Sequence, residues 1–397
     1  MRRALVNARV LDGSGAPIRS GLTVILEGDR IVDVGPAREP SPGTEIVDLG
    51  GRVLMPGLID CHIHFALWAL DPLSHLAEPF SYLCGTTYRA LEGALRAGCT
   101  AARDPGGLDA GFRDAVNDGT RLGPRIQTSI IIVSPINGIA DGTRSQGGGV
   151  PYLPGMPSPE CTGPVEARAK VREVIRAGAD FIKIAATGGV SSRKREPRQR
   201  LHTEDELLAI VDEAHAWGRP VACHAIGGPG LLAAVRAGVD TIEHGVWLDD
   251  ASVEEMARRG TWYVPTLSAY ELHARQGPPL QKARAAEMLA SHRDSVRRAR
   301  EAGVRIACGS DGGVYGHDFT LELELLVGAG MSPGEAIRAA TSRAAECLGW
   351  QDEIGAVKPG MKADLLVVDG DPTEDIRALR DARNVRVIKS GAFLSCS

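Results

Sequence analysis

Residues 56–65 read PGLIDCHIHF, a short apolar run that ends in two histidines one residue apart. Seven comparable runs follow it: CTAARD (99–104), RIQTSIIIV (125–133), ADFIKIAA (179–186), PVACHA (220–225), DTIEHG (240–245), TWYVPTL (261–267) and VRIACGS (304–310). Gly-rich loops and amphipathic stretches such as 204–217 and 333–348 separate them. Near-continuous apolar strands that alternate with helices are what a helix-covered parallel sheet requires. Eight rounds, with no GxGxxG after the first strand, predict an α/β protein with a closed (β/α)8 TIM-like barrel over residues 55–355 and not a doubly wound open sheet.

The ends of the chain read differently. ALVNARVLD (4–12), LTVILEG (22–28), RIVDVG (30–35), EIVDLG (45–50) and RVLM (52–55) are alternating or β-branched runs with no helical period between them, and ADLLVVDG (363–370) and NVRVIKSG (384–391) repeat the pattern. Residues 1–54 plus 356–397 are therefore expected to form one small β-sandwich from both termini. The 397 residues are 43% hydrophobic and 24% charged, enough for a large core. Lys plus Arg less Asp plus Glu is 45 − 50 = −5, so no overall cationic field favours nucleic acid or anionic lipid. Eight cysteines without clustered spacing read as reduced thiols, and no run approaches the roughly 18 apolar residues of a membrane span. The expectation is a cytoplasmic protein that acts on a small molecule, without nucleic-acid or membrane partners; a homo-oligomer stays open.

In a barrel of this kind the chemistry sits at the C-terminal strand ends. His62 and His64 close the first strand, Lys183 lies in the fourth, His224 ends the fifth, His244 the sixth and Asp311 the eighth. Residues two apart on a strand share a face, so His62 and His64 would point together into the mouth as adjacent metal ligands. Lys183, between Ile182 and Ile184, is costly to bury as a cation. Either it pairs with an acid such as Asp104 or Asp311, or its neutral amine captures carbon dioxide and the carbamate acts as a bridging carboxylate. Asp311 could hold a metal and accept a proton, or cap the turn at Gly312 and Gly313. Cys61 and Cys223, one residue from metal-type histidines, should face the helices.

PGLIDCHIHF, the strand lysine, His224, IEHG, the SD of Asp311 and KPGMKADLLVVDG together resemble the amidohydrolase superfamily over nearly the whole chain. FIKIAATGGVSS, AVRAGVDTIEHG and LELELLVGAGMSPGEAIRAAT are similar to its binuclear-metal branch of Xaa-Pro dipeptidases, Arg/Lys carboxypeptidases and phenylurea and amide hydrolases, a branch with imidazolonepropionase-like features. The resemblance implies two divalent metals, zinc first: His62, His64 and Asp311 on one, His224 and His244 on the other, carbamylated Lys183 and a hydroxide between them. It implies hydrolysis of an amide-type C–N bond, with Asp311 moving the proton. A dipeptidase proper, a cyclic amide hydrolase or deaminase, and a non-catalytic scaffold are the rival readings; the absence of a Glu after His224 argues against a deaminase.

Two departures bear on the substrate. The branch often carries TGGHGD after the third strand, and this chain has INGIAD with Ile139 at the His position; where the branch favours HAYG or HCYG, this chain has His224-Ala225-Ile226-Gly227. Both changes run from polar to apolar and predict a less polar substrate than a free dipeptide, or carboxylate binding elsewhere. The loop at 191–200, with Arg193, Lys194, Arg195, Arg198 and Arg200, is the candidate for the latter. The Gly- and Pro-rich loop at 134–164 is long enough for an active-site lid, and Trp68 could wall the pocket. His202, His317 and Asp318 also fall on mouth loops.

Overall fold

A computed structural model describes residues 1–37, 41–66, 78–142, 156–191, 196–313 and 318–395. Trp68, Arg193, Lys194, Arg195, His317 and the centre of the 134–164 loop lie outside them. In chain order the N-terminal strands are β1 (Arg2–Val10), β2 (Arg19–Glu27), β3 (Arg30–Pro36), β4 (Glu45–Asp48) and β5 (Val53–Pro56). The middle of the chain holds β6 (Leu58–Asp60), β7 (Cys99–Asp104), β8 (Arg125–Thr128), β9 (Ile132–Val133), β10 (Ile182–Ala185), β11 (Val221–Gly227), β12 (Thr241–Trp247) and β13 (Trp262–Val264). After it come β14 (Leu365–Val368), β15 (Val385–Lys389) and β16 (Ala392–Phe393).

The terminal strands join one eight-stranded mixed sheet in the order β16-β15-β14-β5-β1-β2-β3, with β4 parallel to β1. The link between the two ends of the chain is the antiparallel β5–β14 pair, from Val53 opposite Val368 to Pro56 opposite Leu365. Leu5, Val24, Leu26, Ile31, Leu54, Leu365, Val367 and Ile388 bury one apolar cluster there, separate from the main core.

The middle strands are all parallel. β6, β7 and β8 form one ladder, and β9 to β13 form another in sequence order. Between β8 and β9 the run expected as one strand breaks at Ile130, whose φ of 67° is left-handed. Ser129 donates to the Asp104 carbonyl (3.0 Å) and Gly107 N to the Ile130 carbonyl (2.9 Å), so the backbone serves β7 before it turns to β10. The expected eighth strand is a single-residue bridge, Ile306 to Tyr263, continued by Cys61 N donating to the Cys308 carbonyl (2.9 Å) and by the Ile63–Gly312 bridge.

Helix Glu204–Ala216 starts at a capping box of Thr203 and Glu206. The helix expected over 333–348 is two, Pro333–Ala339 and Ser342–Cys347. Cys308 N takes the Ala339 carbonyl and Ile59 N the Ala340 carbonyl, both at 2.8 Å, which withdraws those carbonyls from the helical ladder. Among the described residues no helix is long and apolar enough to cross a membrane.

Candidate active site

Six ionisable side chains converge where β6, β10, β11, β12 and the segment after Cys308 end. His62 and His64 lie just past β6 instead of within a strand, yet their rings still meet, 5.4 Å apart and T-shaped. Their segment is stitched to the eighth by Asp311 N donating to the His62 carbonyl (2.6 Å) and His64 N to the Gly312 carbonyl (2.8 Å). Asp311 Oδ1 therefore sits 3.5 Å from His62 Nε2 and 3.4 Å from His64 Nε2. Ligand-type atoms of these three residues all fall within 4.8 Å of one another. His244 lies between His62 and His224, its ring tilted 5.0 Å from the first and edge-on 4.4 Å from the second. In register, Ala185 faces His224 and Ala225 faces His244, which sets Lys183 one pleat below the imidazoles.

The ring nitrogens are assigned by what surrounds them. His62 Nδ1 donates to Glu243 Oε2 (2.5 Å), His64 Nδ1 to the Gly106 carbonyl (2.7 Å), and His244 Nδ1 meets Thr266 Oγ1 (2.7 Å). His224 uses the other nitrogen, Nε2 to the Gly188 carbonyl at 2.9 Å. His62 and His64 so present Nε2 toward Asp311, the arrangement in which an outer partner fixes the tautomer of a metal ligand.

Burial, aided by Lys183, pushes His62 and His224 down to about 4, and burial beside His224 and His62 holds His244 well below its usual value. For His64, burial works downward but the Asp311 hydrogen bond and charge win, so it rises. Burial would raise Asp311, but His62 and His64 hold its carboxyl well below the usual range. Lys183 is 1% exposed and its Nζ has no hydrogen-bond partner among the described residues. Burial draws it down to about 8 against the pull of Glu243. The alternative that it forms an ion pair with Asp104 or Asp311 is not what the structure shows: Asp104 is engaged with Phe65 N and Gly106 N at 2.9 Å.

His244 (φ 76°), Thr266 (φ 60°) and Asp311 (φ 49°) are all left-handed. Such non-Gly residues cost on the order of 1–3 kcal/mol each and gather at functional sites. Glu243 and Arg103 were not anticipated from the sequence. Arg103 Nη2 donates to Glu243 Oε1 (2.7 Å) and its Nε to the Cys61 carbonyl (2.7 Å), so a fully buried ion pair supports His62. Asp60 adds a second brace, accepting from His62 N and Ser310 N at 3.0 Å; burial raises it to about 7.

The remaining sequence candidates separate. A Cβ built on Gly189 would lie 2.6 Å from Ile139 Cδ1 and 3.3 Å from His224 Cε1, so Ile139 stands beside a cluster imidazole. Ile226 does not line an opening: it is fully buried, in the apolar group of Val190, Val246, Ala269 and Tyr270. Of the described basic-loop residues, Arg198 lies 4.2 Å over the Trp247 ring. The 134–164 loop has its feet pinned, Cys161 N donating to the Ser134 carbonyl at 3.1 Å. His202 is buried 3.6 Å from Glu206, and Asp318 caps helix Phe319–Gly328. Cys61 faces the Ala344 carbonyl at 3.9 Å, on the helix side as expected.

Comparison with known proteins agrees with this geometry. Residues 53–393 match the model of the amidohydrolase family. An ochratoxinase of Aspergillus niger is 33% identical, the alignment covering 97% of this chain and 85% of the relative. An imidazolonepropionase of Salinispora arenicola is 28% identical over 92% of this chain and 90% of its own length. A solved Xaa-Pro dipeptidase with methionine bound in its active site superposes with a TM-score of 0.91 at 31% identity, covering both chains completely. The chain belongs to the amidohydrolase family, and its reaction is the metal-dependent hydrolysis of an amide-type carbon–nitrogen bond.

Proposed function

We propose that His62, His64 and Asp311 hold one divalent metal ion, His224 and His244 a second, and that a carbamate on Lys183 bridges the two. The observation that carries this reading is the Lys183 amine, buried among imidazoles with no partner. A neutral amine there can take up carbon dioxide, and the product is an anion where the cation was unmatched. Imidazole and carboxylate donors suit zinc first. When bound, the ions polarise the scissile carbonyl and make water nucleophilic at neutral pH.

The side chains supply the rest. Asp311 Oδ1 faces the two imidazoles, leaving Oδ2 to accept the proton of the attacking water. As the carbonyl carbon gains oxygen and its bond to nitrogen breaks, that proton passes from Asp311 to the departing nitrogen. Glu243, with Arg103 behind it, keeps the His62 Nδ1 proton and ring in place.

The parallel ladders, tied through Ile306 and Ile63–Gly312, support a (β/α)8 barrel over residues 55–355. The shared terminal sheet with its own apolar cluster supports a split β-sandwich of 1–54 plus 356–397. The seven described cysteines, all free, fit a reducing cytoplasmic setting.

Ile139 beside His224 gives the pocket an apolar wall, so the preferred substrate is a small amide, carbamate or urea with an apolar flank. The test is mass-spectrometric detection of cleavage across a pooled library of dipeptides, N-acyl amino acids, aryl amides, carbamates and arylureas, using zinc-loaded enzyme with a Lys183→Ala control. Loss of the uncharged members, abolished in the control, is the expected result. Loss of free dipeptides alone would refute the apolar-flank assignment.

A further inference from the structure

Helix Pro279–Glu301 carries none of the proposed ligands, yet it grips the strand that carries His244. His292 Nε2 donates to the His244 carbonyl at 2.7 Å. One turn on, Ser295 Oγ donates to the Val246 carbonyl (2.8 Å) and accepts from Leu248 N (3.0 Å). From β13, the Tyr263 hydroxyl reaches the same His244 carbonyl at 3.0 Å and that of Gly245 at 3.1 Å.

The backbone so held is unusual. His244 and Gly245 are consecutive left-handed residues, φ 76° and 51°, and the β11–β12 register shifts immediately beyond them. A histidine keeps that conformation only where its surroundings over-determine it. Thr266 fixes the rotation of the His244 ring, but nothing on the ring itself decides where the backbone delivers it.

His292 is fully buried, and besides the His244 carbonyl its ring faces the Pro265 carbonyl. Burying an imidazole carries a desolvation penalty that an apolar residue filling the same space beside the Tyr270 ring, 4.7 Å away, would avoid. The residue is worth that cost if its Nε2–H does something an apolar side chain cannot. We propose that His292 is a positioning residue for the metal centre: with Tyr263, it clamps the left-handed carbonyl of His244 so that the imidazole meets the second metal. The inference rests on His244 being a metal ligand.

The test compares His292→Phe, His292→Gln and Tyr263→Phe with the wild-type full chain. Zinc content after dialysis and zinc affinity by chelator competition are measured alongside the melting temperature of the metal-free proteins. Wild type holds two zinc ions. His292→Phe keeps one, the second binding on the order of 10–100-fold more weakly; its metal-free melting temperature stays close to that of wild type. His292→Gln, which still offers a donor, restores the second ion. Tyr263→Phe shows a smaller weakening in the same direction and decides the matter if His292→Phe does not fold. Two zinc ions of unchanged affinity in both His292→Phe and Tyr263→Phe overturn this inference alone. A lowered metal-free melting temperature with both ions retained also overturns it, as a purely structural role. Fewer than two ions in wild type overturn the two-metal reading and this inference with it.

Discussion

At the N-terminal ends of the parallel strands the acids Asp180 and Asp240 are paired. Asp180 pairs with Arg113 and accepts from Thr128 N, both at 2.9 Å; Asp240 pairs with His215 at 2.8 Å and accepts from Val221 N at 2.7 Å; Arg305 lies 4.3 Å over the Trp262 ring. A depression of about 660 Å³ opens there, lined by Asp180, Asp240 and Trp262. At the C-terminal ends one cation is left unmatched: Lys183 Nζ has no hydrogen-bond partner among the described residues, while three imidazoles are held neutral by burial, and Asp311 and His244 sit in left-handed backbone. Volume does not locate the chemistry here. The concentration of perturbed, incompletely satisfied groups does.

The largest expected effect breaks the comparison at its reactive end. Asp311→Asn keeps the shape of the side chain but cannot accept a proton, and kcat should fall on the order of several hundredfold with metal content retained. Near-normal turnover would remove Asp311 from proton transfer.

A second prediction uses the unmatched amine. In metal-free, bicarbonate-free buffer, burial draws the folded Lys183 down to about 8 from the usual 10.5 of an exposed lysine. Between those values the unfolded chain binds more protons than the folded one, so wild type gains stability as pH rises through the window. Below pH 8 both states are protonated and the burden of the buried cation is constant. Relative to Lys183→Met, wild type should gain about 3 kcal/mol from pH 8 to 10.5, followed by urea denaturation. Lys389, which burial also draws to about 8, contributes to both proteins and cancels. Parallel stability curves would contradict the assignment.

The smallest effect belongs to the opposite end. Asp240→Asn weakens the hydrogen bond from Val221 N and a half-exposed ion pair, and should lower stability by about 1 kcal/mol while leaving kcat/KM unchanged. A loss of activity there would mean the two ends are coupled.

Much of this contrast is legible in the sequence. The apolar runs around His62, Lys183, His224 and His244 announce parallel strands, and their terminal polar residues announce where chemistry collects. What stays hidden depends on three-dimensional partners. The helix over 333–348 looks continuous because nothing local reveals that Cys308 and Ile59 will take its carbonyls. Ile226 looks like a substrate contact because its neighbour is a ligand, but the chain turns it into the apolar group under Val190. Glu243 and Arg103 left a readable trace, being charges inside largely apolar strands, which buried strands tolerate only when paired.

The central claim is that six residues hold two bridged metals. A crystal structure of zinc-loaded wild type grown with bicarbonate, with anomalous scattering recorded at the zinc edge, tests it most directly. The account predicts two peaks, one among His62, His64 and Asp311 and one between His224 and His244, with density for a carboxylate on Lys183 joining them. A single peak, peaks elsewhere, or an unmodified Lys183 beside two metals would contradict it.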